Sequence, residues 1–590
     1  MRFVSAIVAF VLAAVMIAYG IAQHTVLAPP DRVTSSVTTG DGAPFTLIDG
    51  SVLNSNAGQQ RLAVAGSDTV FVAYGRTTDV VAWLGDQTYN SLGYDATSQQ
   101  LTSSVVTPTE AGSAEEKSMG LAPAGSDLWL EERQNPDSLD WTVNVPDDVS
   151  VLIAADGTLP APADISVSWP LEHETPWAAP LIIGGGVLLL VGLALYIWGL
   201  VHMRKARGPR RKSPPRAPKL PQAPRPRATR ATVLEPATTA KGRRSTRRFV
   251  AVTSLVVVGG LALSGCGAVS DILEDSPAPV PSESASAQAP EVTPVAVTEG
   301  QLLRIVDRVS TTVTQADTDR NLDLLKTRMT GPALEQRQAN YAMRGADSGI
   351  KGPDPIPSTP VKIELPQATD AWPRSILTVV GGDDPSIAPV ALLLTQQTPR
   401  DNYLVSYTVQ LQPGIEFPAV APVTVGAAVL QNDVKLLSLQ PDQVAPDYAD
   451  ILLQGDASPS VGLFEADPDK LRNDVGVDYK NAQKAALPKT AAMDFVGGPG
   501  AGPVYALATV DSGAIVATNV VERQTTKPVE EGAKINLQGS VKALSGLTTT
   551  EKGIESSYSY QLVFYVPPGS DAGKVVLLGY AQGLIGVREL

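Results

Sequence analysis

Three stretches of the chain are apolar throughout and contain no charged side chain: 3–22, 180–201 and 249–265. A helix of about twenty residues rises roughly 30 Å, which is the thickness of the hydrocarbon core of a membrane. The first two stretches reach that length, and the third, at about 25 Å, is short for a permanent span. The pattern therefore predicts a multi-domain membrane protein with two to three transmembrane helices.

The first apolar stretch, 3–22, fits two interpretations. Arg2 precedes it, and Gly20 and Ala22 supply the small residues that a signal peptidase needs at positions −3 and −1. A retained transmembrane helix and a cleaved signal peptide both place the following residues outside the cytoplasm. The sequence leaves these two interpretations open.

Short β-rich runs separated by turn residues fill the region 25–176. Two such runs are 69–74 and 149–155, and Asp156-Gly157 after the second is typical of a hairpin. We expect an exported β-sandwich here. Three tryptophans are expected in its core or on its strand faces rather than in a sugar-stacking platform: Trp83, Trp129 and Trp141.

The C-terminal part opens with helices and continues with strands. Thr298 and Gln301 have the spacing of a capping box, and apolar residues then follow on one helical face. Two more helices are expected from about Leu322 and Pro332. Strands are then expected at 361–365, 376–380, 389–395 and 403–411. Apolar residues alternate along the last of these, which predicts a strand with one buried face.

The same order returns in the last third of the chain. Helical segments include Tyr448 and Leu471. Further strands are predicted at 504–510, 514–523, 534–537, 557–566 and 574–580. The sequence therefore predicts two α+β domains in tandem, at 298–430 and 440–590.

Charge is distributed unevenly along the chain, whose net charge is −14. Between Arg204 and Arg248 there are sixteen Lys and Arg residues and one acid, Glu235. Cytoplasmic loops gather Lys and Arg, whereas exported domains need not. A nucleic-acid-binding patch is the alternative, but the position between two apolar stretches favours topology. We therefore expect a multi-pass protein of the cell membrane, with both large regions extracytoplasmic and no nucleic-acid partner.

Two linkers are predicted from their proline content. Residues 202–248 are basic and proline-rich, so we expect an extended cytoplasmic linker lying against anionic membrane lipid. Residues 270–297 are rich in Ser, Pro, Ala and Glu and show no apolar periodicity. This second segment is expected to be a disordered linker outside the membrane.

Cys266 is the sole cysteine, which excludes an intramolecular disulfide. It ends the sequence Leu263-Ser264-Gly265-Cys266, after a basic start at 243–248 and the apolar stretch 249–265. This arrangement resembles the lipobox of bacterial lipoproteins. The resemblance implies lipid attachment at Cys266 and cleavage before it. An unmodified thiol at the end of a third helix is the alternative, and both remain open.

The sequence offers few groups for catalysis. Its histidines are His24, His173 and His202, and each lies beside an apolar stretch. We therefore predict no catalytic residue, cofactor or metal site. The run 497–502 is glycine-rich but contains proline and precedes a strand, so a flexible loop is expected rather than a dinucleotide site. The acidic runs 467–469 and 147–148 are expected to be solvated rather than to bind calcium.

Parts of the chain resemble known families. Residues 75–84 resemble the N-terminal part of uncharacterised actinobacterial membrane proteins. The stretch 564–570, with Gly579 and Gly583 beyond it, resembles the end of an uncharacterised actinobacterial domain family. The order of helices followed by an antiparallel sheet resembles the nuclear-transport-factor-2-like α+β cone. That last resemblance implies a ligand cavity, and in catalytic members a His–Asp or Asp–Tyr arrangement.

Two functions remain open at this point. The first is a non-enzymatic scaffold or accessory factor in envelope assembly, with membrane lipid and other cell-envelope proteins as its partners. The second is a lipid- or glycan-binding module, or a carboxylate-based enzyme, that uses a cavity in the C-terminal domains. Convergence of two or more carboxylates in a deep apolar cavity would favour the second. No oligomeric state is predicted.

Overall fold

The computed structural model describes residues 2–25, 31–40, 42–108, 122–171, 178–206, 293–381 and 387–590. The chain divides into two compact units, one of Met1–Gly20 with Ala179–Pro290 and the other of Ile21–Ala178 with Glu291–Leu590. The predictions for 249–265, for Cys266 and for most of both linkers lie outside the described residues.

The first unit contains two long apolar helices, α1 (Arg2–Thr25) and α4 (Ala178–Ala206). They pack against each other through small residues. Ala6 and Ala13 are fully buried, and a Cβ added at Gly185 would lie 2.7 Å from Ile17 Cγ1. Within them, Val4–Gln23 and Ala179–Arg204 are long and apolar enough to cross a membrane. Two of the apolar stretches are therefore confirmed as helices of sufficient length.

The region 31–171 of the second unit is β-rich, as expected. Its helices are α2 (Gly50–Leu53) and α3 (Thr77–Leu84). Its strands are β1 (Arg32–Thr38), β2 (Phe45–Ile48), β3 (Gln60–Arg76), β4 (Tyr89–Asp95), β5 (Gln100–Val106), β6 (Glu131–Val143), β7 (Val149–Ala154) and β8 (Asp164–Pro170). The three tryptophans are buried, which confirms their placement in the core: Trp83, Trp129 and Trp141.

The expected two-sheet sandwich is not what the hydrogen bonds show. All eight strands belong to one sheet, in the order β1-β8-β3-β7-β2-β4-β5, with β6 also paired to β3. The two ends of this order approach each other, because the backbone N–H of Leu101 donates to Ser35 Oγ at 2.8 Å. The sheet therefore curls on itself. The hairpin expected at Asp156-Gly157 is also wrong, because β7 and β8 pair with opposite ends of β3 rather than with each other.

The C-terminal region 293–590 is α+β with an antiparallel sheet, as the pattern predicted. Its helices are α5 (Glu299–Asp319), α6 (Leu322–Lys326), α7 (Gly331–Ala346), α8 (Pro441–Gln454), α9 (Lys470–Val475), α10 (Val477–Ala486) and α11 (Gly539–Ser545). Its strands are β9 (Val361–Pro366), β10 (Arg374–Val380), β11 (Val390–Gln396), β12 (Leu404–Leu411), β13 (Ala491–Pro499), β14 (Tyr505–Ala508), β15 (Ala514–Pro528), β16 (Ile535–Asn536), β17 (Thr549–Thr550), β18 (Ile554–Val566) and β19 (Val576–Glu589). The capping box of Thr298 and Gln301 is present at the start of α5.

The prediction of two separate tandem domains needs correction, because one sheet runs through both halves. Its order is β13-β15-β18-β19-β12-β11-β10-β9, with β14 also paired to β15. The join is narrow: β12 pairs with β19 at Gln410–Tyr580 and Leu411–Gly579. Each half keeps its own apolar cluster against its helices, and a further cluster that includes Leu377 and Ile515 draws residues from both.

Apolar residues alternate along β12, but the strand does not have the single buried face that this alternation predicts. A register shift lies opposite Leu393 and Leu394, so β12 contains a bulge. A bulge reverses which face the following side chains occupy. Tyr403 and Val405 accordingly belong to the cluster under α5, whereas Tyr407, Val409 and Leu411 belong to the cluster shared by both halves. Both faces of the strand are therefore buried, not one.

Three smaller expectations are also corrected. The last residues of the predicted linker 270–297 are packed, since Ala296 and Val297 are each 1% exposed. Gly497 and Gly498 lie in β13 and pair with β15, so this part of the glycine-rich run is strand rather than loop. Asp469 is buried and caps α9 instead of being solvated.

Candidate functional site

Arg374 and Asp79 form a buried ion pair between the two regions of the second unit. Arg374 Nη2 lies 2.7 Å from Asp79 Oδ1, and the two side chains are 2% and 3% exposed. Arg76 also contacts Asp79, and it donates to the carbonyl oxygens of Val295 and Ala296. We name the contacts between 31–171 and 293–590 the domain joint.

A second buried cluster of the domain joint surrounds Asp127, whose side chain is 0% exposed. Its Oδ2 accepts from Arg328 Nη1 at 2.5 Å and from the backbone N–H of Tyr403 at 2.9 Å. Arg308 lies 3.4 Å from the other oxygen of Asp127 and 2.8 Å from Glu132. Both carboxylate oxygens of Asp127 thus face groups of the C-terminal region.

The third ion pair of the domain joint, Arg400 with Asp86, is less buried. Arg400 Nη2 lies 3.0 Å from Asp86 Oδ1, and the same guanidinium donates to the carbonyl oxygens of Trp83 and Leu84. The hydrogen bond from Arg400 lowers the pKa of Asp86 below its ordinary value. This pair therefore favours an ionised carboxylate at neutral pH.

Charge is segregated across the domain joint. In the ion pairs between the regions, the carboxylates come from 31–171 and the guanidiniums come from 293–590. Complementary charge of this kind selects the correct partner face and fixes its orientation. Arginine suits such positions because its planar fork can donate two parallel hydrogen bonds to a carboxylate.

Aromatic packing accompanies these ion pairs. Trp372, from the C-terminal region, packs against the apolar cluster of 31–171 that contains Trp83 and Trp129. The guanidinium of Arg374 stacks on the Trp372 ring, with its carbon 3.7 Å from the ring centre. Tyr403 is 1% exposed beside these groups, and burial raises its pKa above the ordinary value.

A groove of about 450 Å³ lies in the C-terminal region where β12 and β19 separate. Residues of α7, of the segment 351–356 and of the two strands line it. Four carboxamide side chains are prominent in the lining: Gln336, Asn340, Gln410 and Gln582. A volume of this size is in the range of small-molecule sites.

Hydrogen bonds hold most of these carboxamides in place. Gln336 donates to the carbonyl oxygen of Ser559, and Gln410 donates to Asp354. Asn340 donates to the carbonyl oxygen of Lys351, but its Oδ1 is buried without a hydrogen-bond partner among the described residues. Asp354 is the one carboxylate in the described lining, and Lys351 Nζ lies 2.7 Å from it. No pair of carboxylates therefore converges in this groove.

The sequence-predicted candidate, Cys266, lies outside the described residues. Within the described part of the chain, no group of three or more His, Cys, Asp or Glu side chains is placed to hold a metal ion. The acidic residues of the domain joint were not predicted from the sequence, because each has the local context of an ordinary surface carboxylate. The sequence analysis did single out the stretch 75–84, which contains Arg76 and Asp79, but only as a family resemblance.

The described structure defines the class of protein. It combines two apolar helices of membrane-spanning length with a second unit, which is built from two parts of the chain that are far apart in sequence. Within that class, the chain belongs to the family described as "Domain of unknown function (DUF8094)", which it matches over residues 292–589. No curated protein and no solved structure matches the chain.

Proposed function

We propose that the protein is a non-enzymatic, membrane-anchored protein of the cell envelope that acts as a scaffold or accessory factor in envelope assembly. Residues 31–171 and 293–590 together form the exported body that it presents to other envelope proteins. The observation that carries the proposal is the domain joint. Buried ion pairs contribute little net stability but fix geometry, which is what a scaffold requires of its modules.

The test is chemical cross-linking of the full-length protein in its native membrane, followed by mass spectrometry. We expect a reproducible set of envelope proteins to cross-link to the wild type. The variant Arg400→Asp places two acids together in the domain joint and should lose this set. A matched control is Lys534→Met, which removes an exposed pair with Glu551 and should retain the set.

A different experimental result would favour the enzymatic alternative. Turnover of a glycan or lipid substrate by the purified protein, abolished by Asp354→Asn, would replace the scaffold proposal with the enzymatic alternative. Asp354 is the residue to change because it supplies the carboxylate of the described groove lining.

A second candidate function is binding of a neutral glycan in the groove. Carboxamides both donate and accept hydrogen bonds, as sugar hydroxyls do, and Asn340 Oδ1 is a buried acceptor without a partner among the described residues. Titration of the full-length protein with neutral envelope oligosaccharides should give saturable binding. Asn340→Leu should weaken that binding at least tenfold, and unchanged binding would exclude the groove.

A further inference from the structure

The contacts of the domain joint join residues that lie far apart along the chain. Asp79 and Arg374 are separated by 295 positions, and Asp127 and Arg328 by 201. Along the chain, α4 and residues 207–292 lie between the two regions. The domain joint therefore brings together two regions that are far apart in sequence.

Each region supplies groups that the other needs. Asp127 has both oxygens directed at the C-terminal region, and its backbone N–H donates to Asn402 Oδ1 at 3.0 Å. In return, Gln301 and Arg304 of α5 donate to the carbonyl oxygens of Leu128 and Trp129. These are the features of an interface between two folded partners: opposite charge, a buried centre and hydrogen bonds in both directions.

This interface contains residue types that often anchor tight complexes, a tryptophan and an arginine. Arg374 is buried at the contact and Trp372 is partly buried there, and tryptophan and arginine dominate the binding energy of protein interfaces. The Arg400–Asp86 pair, at 29% and 14% side-chain exposure, is more accessible than the Arg374–Asp79 pair. This difference in exposure between the pairs resembles the difference between the core and the rim of a stable interface.

We propose that residues 31–171 are the docking partner of residues 293–590, and that the two remain bound as a two-chain complex when the segment between them is cut. The proposal does not rest on the scaffold function. A cut before Cys266 would then divide the chain without separating its two exported regions. The N-terminal fragment, with α1 and α4, would hold the C-terminal fragment at the membrane by contact alone.

The experiment uses the full-length protein with a protease recognition sequence inserted between Ser284 and Ala285. Cleavage in washed membranes generates a fragment, 285–590, that contains none of α1, α4 and Cys266. Lipid attachment at Cys266 therefore cannot hold this fragment at the membrane. We expect it to sediment with the membranes after cleavage, and also in 1 M salt, because buried ion pairs are screened little by salt. Release of the wild-type fragment into the supernatant would overturn the proposal.

Isosteric variants identify the contacts that hold the fragment. The double variant Asp79→Asn and Asp127→Asn should raise the released fraction at least tenfold. The control is Asp140→Asn, which removes an exposed partner of Arg61 within the N-terminal region and should release no more than the wild type. Equal retention in the double variant and the control would contradict the assigned interface.

Folding of the released fragment is measured separately. Circular dichroism and thermal unfolding of the fragment released by the double variant should show a folded β-containing protein, since both substitutions lie in the other region. An unfolded released fragment would mean that residues 293–590 do not stay folded without residues 31–171. The proposal of two folded docking partners would then be wrong.

Discussion

Lys480, Glu522 and Tyr560 form a buried polar cluster among α10, β15 and β18. Lys480 Nζ lies 2.8 Å from Glu522 Oε2, and Tyr560 donates to the other oxygen of Glu522 at 3.2 Å. Lys480 also donates to the carbonyl oxygens of Leu452 and Val475. Burial lowers the pKa of Lys480, while Glu522 opposes that shift. The lysine is therefore retained in the core by its partners.

Replacing Lys480 with methionine should destabilise the protein by about 3–5 kcal/mol, because it leaves a buried carboxylate without its cation. Chemical denaturation followed by circular dichroism measures the loss. The control Lys534→Met breaks an exposed pair and should cost no more than about 1 kcal/mol. Adding Glu522→Gln to Lys480→Met should recover part of the loss, and no recovery would contradict the assigned pairing.

Asp86 gives the domain joint a defined dependence on pH. Its pKa is lowered in the folded protein by Arg400, so its stabilising effect is fully present above the unfolded value of about 3.9. That effect is lost as the pH falls through the lowered pKa. Retention of the cut fragment on membranes should therefore weaken below about pH 4, and Asp86→Asn should lack this part of the dependence. The same acid dependence in the variant would exclude Asp86 as its source.

At the scale of elements, the narrow join of β12 and β19 decides the architecture of the C-terminal region. Gly579 occupies one of its two paired positions, and a Cβ there would lie 2.4 Å from the carbonyl oxygen of Gln410. No side chain fits at that distance without backbone movement. The two strands approach closely enough to pair because position 579 is glycine.

Gly579→Ala should destabilise the C-terminal region by about 1–3 kcal/mol or more, as overpacking of a closed contact does. The matched control is Gly498→Ala in β13, where an added Cβ meets nothing within 4 Å. That control should be neutral or slightly stabilising, by roughly 0.5 kcal/mol, because alanine loses less backbone freedom on folding. Thermal unfolding of both variants measures the difference, and equal melting temperatures would contradict a closed join.

Elements whose signal is local could be predicted from the sequence. The capping box of α5 and the strands β10 to β12 follow from residues within a few positions of each other. The join of β12 to β19 could not be predicted, because pairing between distant strands leaves no periodic signal. The bulge in β12 could not be predicted either. Apolar and more polar residues alternate without interruption from Val405 to Leu411, although the apolar side chains belong to two different clusters.

At the scale of the whole molecule, the domain joint constrains the path of the chain. Residues 31–171 and 293–590 contact each other, so they lie on the same side of any membrane that the chain crosses. The topology expected from the sequence, with crossings at 180–201 and 249–265, meets this requirement. The domain joint itself indicates only that the two regions share one side, and it does not say which side.

Reporter fusions test this topology directly. A reporter active only outside the cytoplasm should be silent when fused after Lys219 and active when fused after residue 298. The basic linker predicts the first result, and the contact between the two regions predicts the second. Activity after Lys219 with silence after residue 298 would reverse the topology.

Because Asp79 and Arg374 are far apart along the chain, the two partners are synthesised at different times. Asp79 is synthesised 295 residues before its partner. At roughly 5–20 residues per second, that interval lasts about 15–60 s. During it, the face of 31–171 that Trp372 and Arg374 will cover is open to the surroundings. The newly synthesised N-terminal region therefore passes through a period in which other proteins, including a second nascent copy, have access to its docking face before its own C-terminal region is made.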